Sequence, residues 1–189
     1  MGSNKQFFIL TGNPGVGKTT LTKKLSSILF EKGVRVSGFY TEETRKNGIR
    51  EGFDIVSLEG SRGRLAREQN LLTGPVKFKV GKYGVLVQEF EKIALPCLDK
   101  QENVQTLLVI DEIGKMEFFS EPFKSRVTDI FSHKSDHVVL ATIPVQRGDV
   151  LIENIRNHSK AKIWTVTRDN RNDIHEDILK EMKAILNFI

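Results

Sequence analysis

Residues 12–19 read Gly-Asn-Pro-Gly-Val-Gly-Lys-Thr and fit the spacing G-x-x-x-x-G-K-[ST]. This spacing is typical of a phosphate-binding loop (P-loop), in which several backbone N–H groups surround one phosphate. The three glycines permit backbone angles that larger residues resist. Lys18 is expected to reach the β- and γ-phosphates of a nucleotide, and Thr19 to place its hydroxyl on Mg²⁺. The motif therefore predicts a nucleotide site between a strand and a helix.

The sequence on either side of the P-loop predicts the strand and the helix that such a nucleotide site needs. Gln6–Leu10 is a short, largely apolar run that predicts a buried strand. Apolar residues then recur at helical spacing from Leu21 to Leu29, and Gly33 is a typical helix end. Because the first N–H groups of a helix have no partner within it, they favour an anion at this position.

A second apolar run, Thr106–Ile110, ends in the acidic pair Asp111 and Glu112. This arrangement resembles a Walker B strand, whose burial holds the acidic end rigidly beside the P-loop. Asp111 is then expected to bind Mg²⁺, directly or through a water. Glu112 is expected on the other side of the strand tip, where it positions a water for attack on the γ-phosphorus. This second acid favours hydrolysis over simple nucleotide binding.

Strands alternate with helices along most of the chain. Besides the two runs above, apolar runs predict buried strands at Val34–Tyr40, Val138–Ile143 and Lys162–Val166. Apolar residues at helical spacing separate these runs. We therefore expect a single α/β domain over residues 1–189, in which a mostly parallel sheet is covered by helices on both faces.

Residues 41–88 interrupt this alternation and are predicted to form an antiparallel β insertion within the same domain. Asn47–Gly48 is a strong hairpin turn between two polar strands. Further along, Val76, Phe78 and Val80 alternate with lysines, which predicts a half-exposed strand.

The charge of the insertion bears on the partners of the protein. The chain has a net charge of +5, and residues 44–82 contain nine basic and four acidic residues. Such a segment either faces phosphates or forms a solvated surface. Nucleic acid is not an expected partner, because the sequence lacks aromatic interleaving and a known module signature.

The remaining sequence features concern membrane association, disulfide bonds and cellular location. No apolar run approaches the roughly 20 residues that span a membrane, so a membrane is not an expected partner. Cys97 is the single cysteine, which rules out an intrachain disulfide and fits a reducing compartment. We expect a cytoplasmic monomer.

Two polar residues near the end of the chain are further candidates. Asn170 and Arg171 follow the last predicted strand, and ligands of open α/β sheets lie at the carboxyl ends of strands. They are therefore candidate contacts for the base or the sugar; a helix-capping loop is the alternative interpretation. An arginine is also expected to complete the charge of the transition state. The sequence leaves open which one, among Arg45, Arg62, Arg64, Arg147, Arg156 and Arg171.

Four blocks of the sequence together resemble the thermophile-type nucleoside-triphosphatase family, whose animal member is called cancer-related nucleoside-triphosphatase. The blocks are residues 12–20, Gly38–Glu43, Ile110–Glu117 and Asn170–Arg171. The resemblance implies a P-loop NTPase fold with an added antiparallel part. It also implies slow, Mg²⁺-dependent hydrolysis of ATP, GTP, CTP and UTP to the diphosphates.

With the resemblance included, the expected site has three sets of residues. The catalytic residues are Glu112 and Lys18, and the Mg²⁺ ligands are Thr19 and Asp111. The nucleotide-binding residues are Gly12, Asn13, Pro14, Gly15, Val16, Gly17, Lys18, Thr19, Thr20, Leu108, Val109, Ile110, Asp111, Glu112, Ile113, Gly114, Lys115, Asn170 and Arg171.

Three functions remain open at this point, and hydrolysis of nucleoside triphosphates is favoured. Asp111 and Glu112 support it. Asp111–Gly114 also fits the D-x-x-G of GTPases, but the chain has no N-K-x-D to read guanine. The alternatives are a kinase for a nucleotide or small molecule, with residues 41–88 as acceptor site or lid, and a nucleotide-dependent switch that binds a partner.

Overall fold

The computed structural model of the chain describes residues 5–99 and 104–188. Within these residues, nine strands form one sheet and five α-helices pack against it. The strands are β1 (Phe7–Thr11), β2 (Arg35–Lys46), β3 (Ile49–Ser57), β4 (Arg62–Glu68), β5 (Lys79–Val80), β6 (Tyr83–Val85), β7 (Thr106–Ile110), β8 (Val138–Thr142) and β9 (Ala161–Thr165). The helices are α1 (Lys18–Glu31), α2 (Val87–Cys97), α3 (Glu121–Ile130), α4 (Val150–Arg156) and α5 (Ile174–Leu186).

The sheet has a parallel half and an antiparallel half that share one strand. Its order is β5-β6-β4-β3-β2-β7-β8-β1-β9. Strands β2, β7, β8, β1 and β9 pair in parallel, whereas β2, β3, β4, β6 and β5 pair antiparallel. The predicted α/β fold, with its antiparallel insertion, is confirmed. The insertion is a direct extension of the core sheet because β2 runs through both halves.

Helices cover both faces of the parallel half, as expected. Apolar side chains of α2, α3 and α4 pack on one face, including Phe90, Phe123 and Ile152. Side chains of α1 and α5 pack on the other face, including Leu25 and Met182. Strands β1 and β8 are buried along their whole length, which explains their continuous apolar sequences, since a parallel strand between two layers of helices has no solvent-facing side.

The predicted strand from Val76 to Val80 is wrong over most of its length. Only Lys79–Val80 pairs with the neighbouring strand. The residues before it fold back over Gly84, where an added Cβ atom would lie 2.7 Å from a methyl group of Val76. The Val85 N–H donates to the Phe78 carbonyl at 2.9 Å. Apolar packing on Gly84 therefore replaces the regular ladder that alternation alone suggested.

None of the helices in the described part of the chain combines the length and the apolar character needed to cross a membrane.

A buried carboxylate links the antiparallel half to the first helix. Asp54 is 8% exposed and accepts hydrogen bonds from Arg62 Nη1 at 2.9 Å and Arg67 Nη2 at 2.5 Å. Arg62 Nη2 also donates to Glu42 Oε2 at 2.7 Å, and Lys23 Nζ on α1 donates to Glu42 Oε1 at 2.8 Å. Strands β2, β3 and β4 are thereby joined to the helix that follows the P-loop.

We expect Asp54→Asn to lower the free energy of unfolding by roughly 2 kcal/mol, because the two arginines at this buried site lose the negative charge of their partner and one of its two accepting oxygens. Urea denaturation at neutral pH measures this change. Asp99→Asn is the matched control: Asp99 also pairs with an arginine, Arg126, but its side chain is 69% exposed. The control should change stability by less than about 1 kcal/mol. Equal losses in the two variants would contradict a special role for the buried network.

Candidate functional site

The P-loop connects β1 to α1 and has the backbone shape that its glycines predict. Gly17, directly before α1, has a φ of 113° and lies in the left-handed region, which favours glycine. At Gly12 an added Cβ atom would lie 2.5 Å from the Val166 carbonyl oxygen. A side chain at Gly12 would therefore push the loop away from the segment that follows β9.

Lys18 is the first residue of α1, and its side chain lies against the P-loop. The residue is 9% exposed. Its Nζ donates to the Gly12 carbonyl at 2.8 Å and to the Asn13 carbonyl at 3.3 Å. Burial raises the pKa of Asp111 and of Glu112, and the Lys18 charge opposes part of this rise at both carboxyl groups. The structure thus brings Lys18 and the acidic pair together at one edge of the sheet.

Asp111 follows β7 and is held by the neighbouring strand β8. It is 2% exposed, and its Oδ1 accepts a hydrogen bond of 2.5 Å from Thr142 Oγ1 at the end of β8. Burial raises the pKa of Asp111, and the hydroxyl group of Thr142 counteracts this by hydrogen bonding to the charged form. Thr142 is not among the predicted site residues, although a polar residue at the end of an otherwise apolar strand is a usable signal.

Thr19 and Asp111 fit the predicted role of holding Mg²⁺. Among the described residues, the second carboxylate oxygen of Asp111, Oδ2, is buried and has no hydrogen-bond partner. A buried acceptor of this kind is costly unless a cation or a donor satisfies it. The protein by itself does not complete a metal site: no group of three or more His, Cys, Asp or Glu side chains in residues 5–99 and 104–188 is arranged to hold a metal. The remaining ligands would therefore be phosphate oxygens and waters, as is usual for Mg²⁺.

Two further carboxyl groups, of Glu112 and Glu117, lie around Gly114. A Cβ atom added to Gly114 would lie 2.8 Å from Glu112 Oε1 and 3.0 Å from Glu117 Oε2. Burial, followed by the charge of Asp111, raises the pKa of Glu112. Glu117 is 5% exposed, and burial, followed by the charge of Glu112, raises its pKa well above the usual range. Glu117 is not among the predicted site residues, because its burial cannot be read from the sequence.

Most of the other predicted site residues in and after β7 lie in the hydrophobic core. Leu108 and Ile110 belong to one hydrophobic core and Val109 to the other. Ile113 is fully buried, and its N–H donates to the Thr142 carbonyl at 2.9 Å. Lys115 is exposed. The apolar residues therefore fix the position of the acidic pair, and their direct contact with a nucleotide stays a prediction.

Asn170 and Arg171 lie in the loop after β9, and they differ in what they contact. Asn170 Oδ1 accepts from the Thr167 N–H at 2.8 Å, and its Nδ2 donates to the Thr165 carbonyl at 2.9 Å. Asn170 therefore shapes its own loop, and its contact with a nucleotide stays a prediction. Arg171 Nη1 instead donates to the Val16 carbonyl at 3.3 Å, so its guanidinium group lies on the P-loop.

Arg171 also differs from the other candidate arginines in its contacts. All six candidates lie in the described residues, and five of them form ion pairs with carboxylates. These pairs are Arg45–Glu43, Arg62–Asp54, Arg64–Glu89, Arg147–Glu153 and Arg156–Glu153. Arg171 is the candidate that the fold places beside the phosphate-binding loop.

Comparison with known proteins gives consistent matches over most of the chain. The sequence pattern of a family described as NTPase matches residues 7–179. The cancer-related nucleoside-triphosphatase of Homo sapiens is 47% identical over 178 residues, which are 90% of this chain and 93% of the relative. Nucleoside-triphosphatase THEP1 of Thermotoga sp. (strain RQ2) is 42% identical over 175 residues, which are 93% of this chain and 94% of the relative.

Two solved structures are similar in fold as well as in sequence. The crystal structure of THEP1 from the hyperthermophile Aquifex aeolicus has a TM-score of 0.80 at 40% identity and covers 92% of this chain and 97% of its own. The solution structure of a human cancer-related nucleoside triphosphatase has a TM-score of 0.79 at 43% identity and covers 95% of this chain and 98% of its own.

We expect the buried acid Glu117 to make stability depend on pH. A carboxyl group whose pKa is raised by folding stabilises the folded state below its unfolded pKa, here 4.5, and that contribution is lost as the pH rises through the folded value. The stability of the wild type should therefore fall relative to Glu117→Gln between pH 4.5 and neutral pH. Urea denaturation without nucleotide and with a chelator measures this difference. Glu31→Gln, at the exposed end of α1, should follow the wild type, and parallel pH profiles of all three proteins would contradict the expectation.

Proposed function

The chain belongs to the nucleoside-triphosphatase family, and on that premise we propose that it hydrolyses ATP, GTP, CTP and UTP to the diphosphates and inorganic phosphate in a Mg²⁺-dependent reaction. Its fold is that of a P-loop NTPase, and a nucleoside-triphosphate phosphohydrolase is the enzyme class of its family. The dependence on Mg²⁺ and the acceptance of all four bases are proposals. The observation that carries the proposed hydrolysis is the convergence of the P-loop, Lys18 and the Asp111–Glu112 pair at one edge of the sheet.

Binding of the triphosphate rests on the P-loop and on α1. The loop backbone and the first N–H groups of α1 supply donors to phosphate oxygens. Lys18 Nζ, held at the Gly12 and Asn13 carbonyls, adds a positive charge for the β- and γ-phosphates. Thr19 and Asp111 would hold Mg²⁺, which when bound neutralises charge on the phosphate oxygens.

Glu112 supplies the base in this proposal. A water oxygen attacks the γ-phosphorus, the bond from the γ-phosphorus to the β–γ bridging oxygen breaks, and the water gives a proton to the Glu112 carboxylate. Burial beside Asp111 raises the pKa of Glu112, which makes its carboxylate a better proton acceptor than an exposed glutamate. This role distinguishes Glu112 from Asp111, whose Oδ1 is occupied by Thr142.

The fold offers support for low base specificity near Arg171. The predicted contact of Asn170 with base or sugar competes with the hydrogen bonds inside its own loop. Arg171 is exposed, and a guanidinium group contacts sugar hydroxyls, phosphates and the faces of all four bases. A site of this kind binds the sugar and phosphates without reading the base.

The ion pairs of the insertion support the expectation that nucleic acid is not a partner. Six of the nine basic residues in residues 44–82 are paired with carboxylates. They are Arg45, Arg50, Arg62, Arg64, Arg67 and Lys82. A basic surface that binds phosphates needs charges without such partners. A monomer in the cytoplasm stays a prediction.

We expect Glu112→Gln to retain nucleotide binding and to lose about 10²-fold or more in kcat, because the amide cannot accept the proton of the attacking water. Phosphate release from each of the four triphosphates, with and without Mg²⁺, tests the variant and the metal dependence together. Glu121→Gln, an exposed acid at the start of α3, is the control and should turn over like the wild type. Undiminished turnover of Glu112→Gln would refute the role of Glu112, and a phosphorylated acceptor in place of free phosphate would favour the kinase alternative.

Replacement of Arg171 by alanine should raise KM about tenfold for all four triphosphates, because one charged donor beside the P-loop is lost. The steady-state kinetics of Arg168→Ala provide the comparison, since Arg168 is exposed in the same loop and should have no such effect. A loss confined to kcat would assign Arg171 to the transition state instead. A change for one base alone would contradict base tolerance.

A further inference from the structure

Glu117 is a buried carboxyl group that the proposed reaction does not use. It is 5% exposed and begins a short 3₁₀ turn, Glu117–Phe119, between β7 and α3. Carboxyl groups are rarely buried without a compensating interaction, because their removal from water costs free energy. An apolar side chain of similar size would fill this space at a lower cost, so the polar end of this side chain calls for an explanation.

The turn that carries Glu117 is fixed by backbone hydrogen bonds. The Phe118 N–H donates to the Gly114 carbonyl at 3.1 Å, and the Ser120 N–H donates to the Glu117 carbonyl at 3.0 Å. At its other end, the segment is tied to β8 through the 2.9 Å hydrogen bond from the Ile113 N–H to the Thr142 carbonyl. Glu117 therefore has a defined position relative to the strand end that bears Asp111.

Glu112 and Glu117 share the space above Gly114. One carboxylate oxygen of each lies within 3.0 Å of the point where a Cβ atom of Gly114 would stand. The charges that act on Glu112 include Asp111 and Lys18, and those that act on Glu117 include Glu112 and Asp111. The two carboxyl groups are thus direct neighbours at Gly114.

We propose that Glu117 is a positioning residue for Glu112. Its carboxyl group, fixed in the turn, closes the space behind the Glu112 side chain and keeps the Glu112 carboxyl on the side of Gly114 that faces the P-loop. Gly114 is part of this arrangement, because the space that a larger residue would fill is occupied by the two carboxyl groups. The inference rests on the proposed role of Glu112 as the base, and it adds a residue that determines where that base is held.

The positioning role is tested by kinetics of Glu117→Ala and Glu117→Gln. The alanine variant should lose about tenfold in kcat with KM unchanged, because a base that is free to move is misplaced in most of its conformations. The glutamine variant keeps the shape and a hydrogen-bonding group and should restore kcat to within about twofold of the wild type. Glu121→Ala on the nearby exposed surface is the control.

A double variant separates positioning from an independent effect. If Glu117 acts through Glu112, adding Glu117→Ala to Glu112→Gln should cause no further loss, since residues that act as a unit are not additive. A purely structural residue would instead change the stability and KM along with kcat. Full kcat in Glu117→Ala, no recovery in Glu117→Gln, or additive losses in the double variant would each overturn the inference.

Gly114→Ala gives a second test if Glu117→Ala does not fold. Its added methyl group would displace both carboxyl groups, so we expect retained nucleotide binding with a loss of kcat of about tenfold or more. Full turnover of this variant would also overturn the inference. Slow Glu112→Gln together with fast Glu117→Ala would overturn the positioning role alone, whereas fast Glu112→Gln would remove the proposed base and the proposed function with it.

Discussion

Parallel pairing of β7, β8 and β1 places the ends of these strands at one edge of the sheet, and a hydrogen bond joins two of them. Thr142 Oγ1 donates to Asp111 Oδ1 at 2.5 Å, inside the protein. This contact fixes the acidic pair relative to β8, while pairing of β8 with β1 fixes the distance to the P-loop. The positions of Lys18, Asp111 and Glu112 all depend on these pairings. The P-loop and the acidic pair, which are distant in the sequence, are therefore brought together by strand pairing.

The same edge of the sheet holds several acidic side chains that are buried from solvent. Asp111 and Glu117 are buried, and their pKa values are raised chiefly by that burial. Lys18 is a cation that lowers the pKa of Asp111, and one lysine offsets only part of the repulsion among three carboxyl groups. Such a site has a lower free energy with a bound cation. Burial thus opposes the charge of the residues that the proposed reaction uses, as is common at active sites.

In the antiparallel half of the sheet, by contrast, most charged side chains are paired with groups of opposite charge. Its arginines are largely matched with carboxylates, and the matched groups reach α1 through Lys23 and Glu42. The basic sequence of residues 44–82 therefore holds the insertion to the core and contributes little free positive surface. Because β2 is one continuous strand through both halves, the insertion is directly connected to the strand beside Asp111, whose N–H donates to the Phe39 carbonyl at 3.1 Å.

The sequence by itself determined the local elements of this protein: the P-loop, the strand before Asp111 and the α/β alternation. Each depends on residues close together in the chain, whose spacing directly reflects backbone geometry. Only the tertiary structure decided that Thr142 contacts Asp111, 31 residues away, and that Arg171 contacts Val16, 155 residues away. The reason is physical. Strand order and burial follow from how the whole chain packs, and no short pattern states which strand lies between two others or which acid is removed from water.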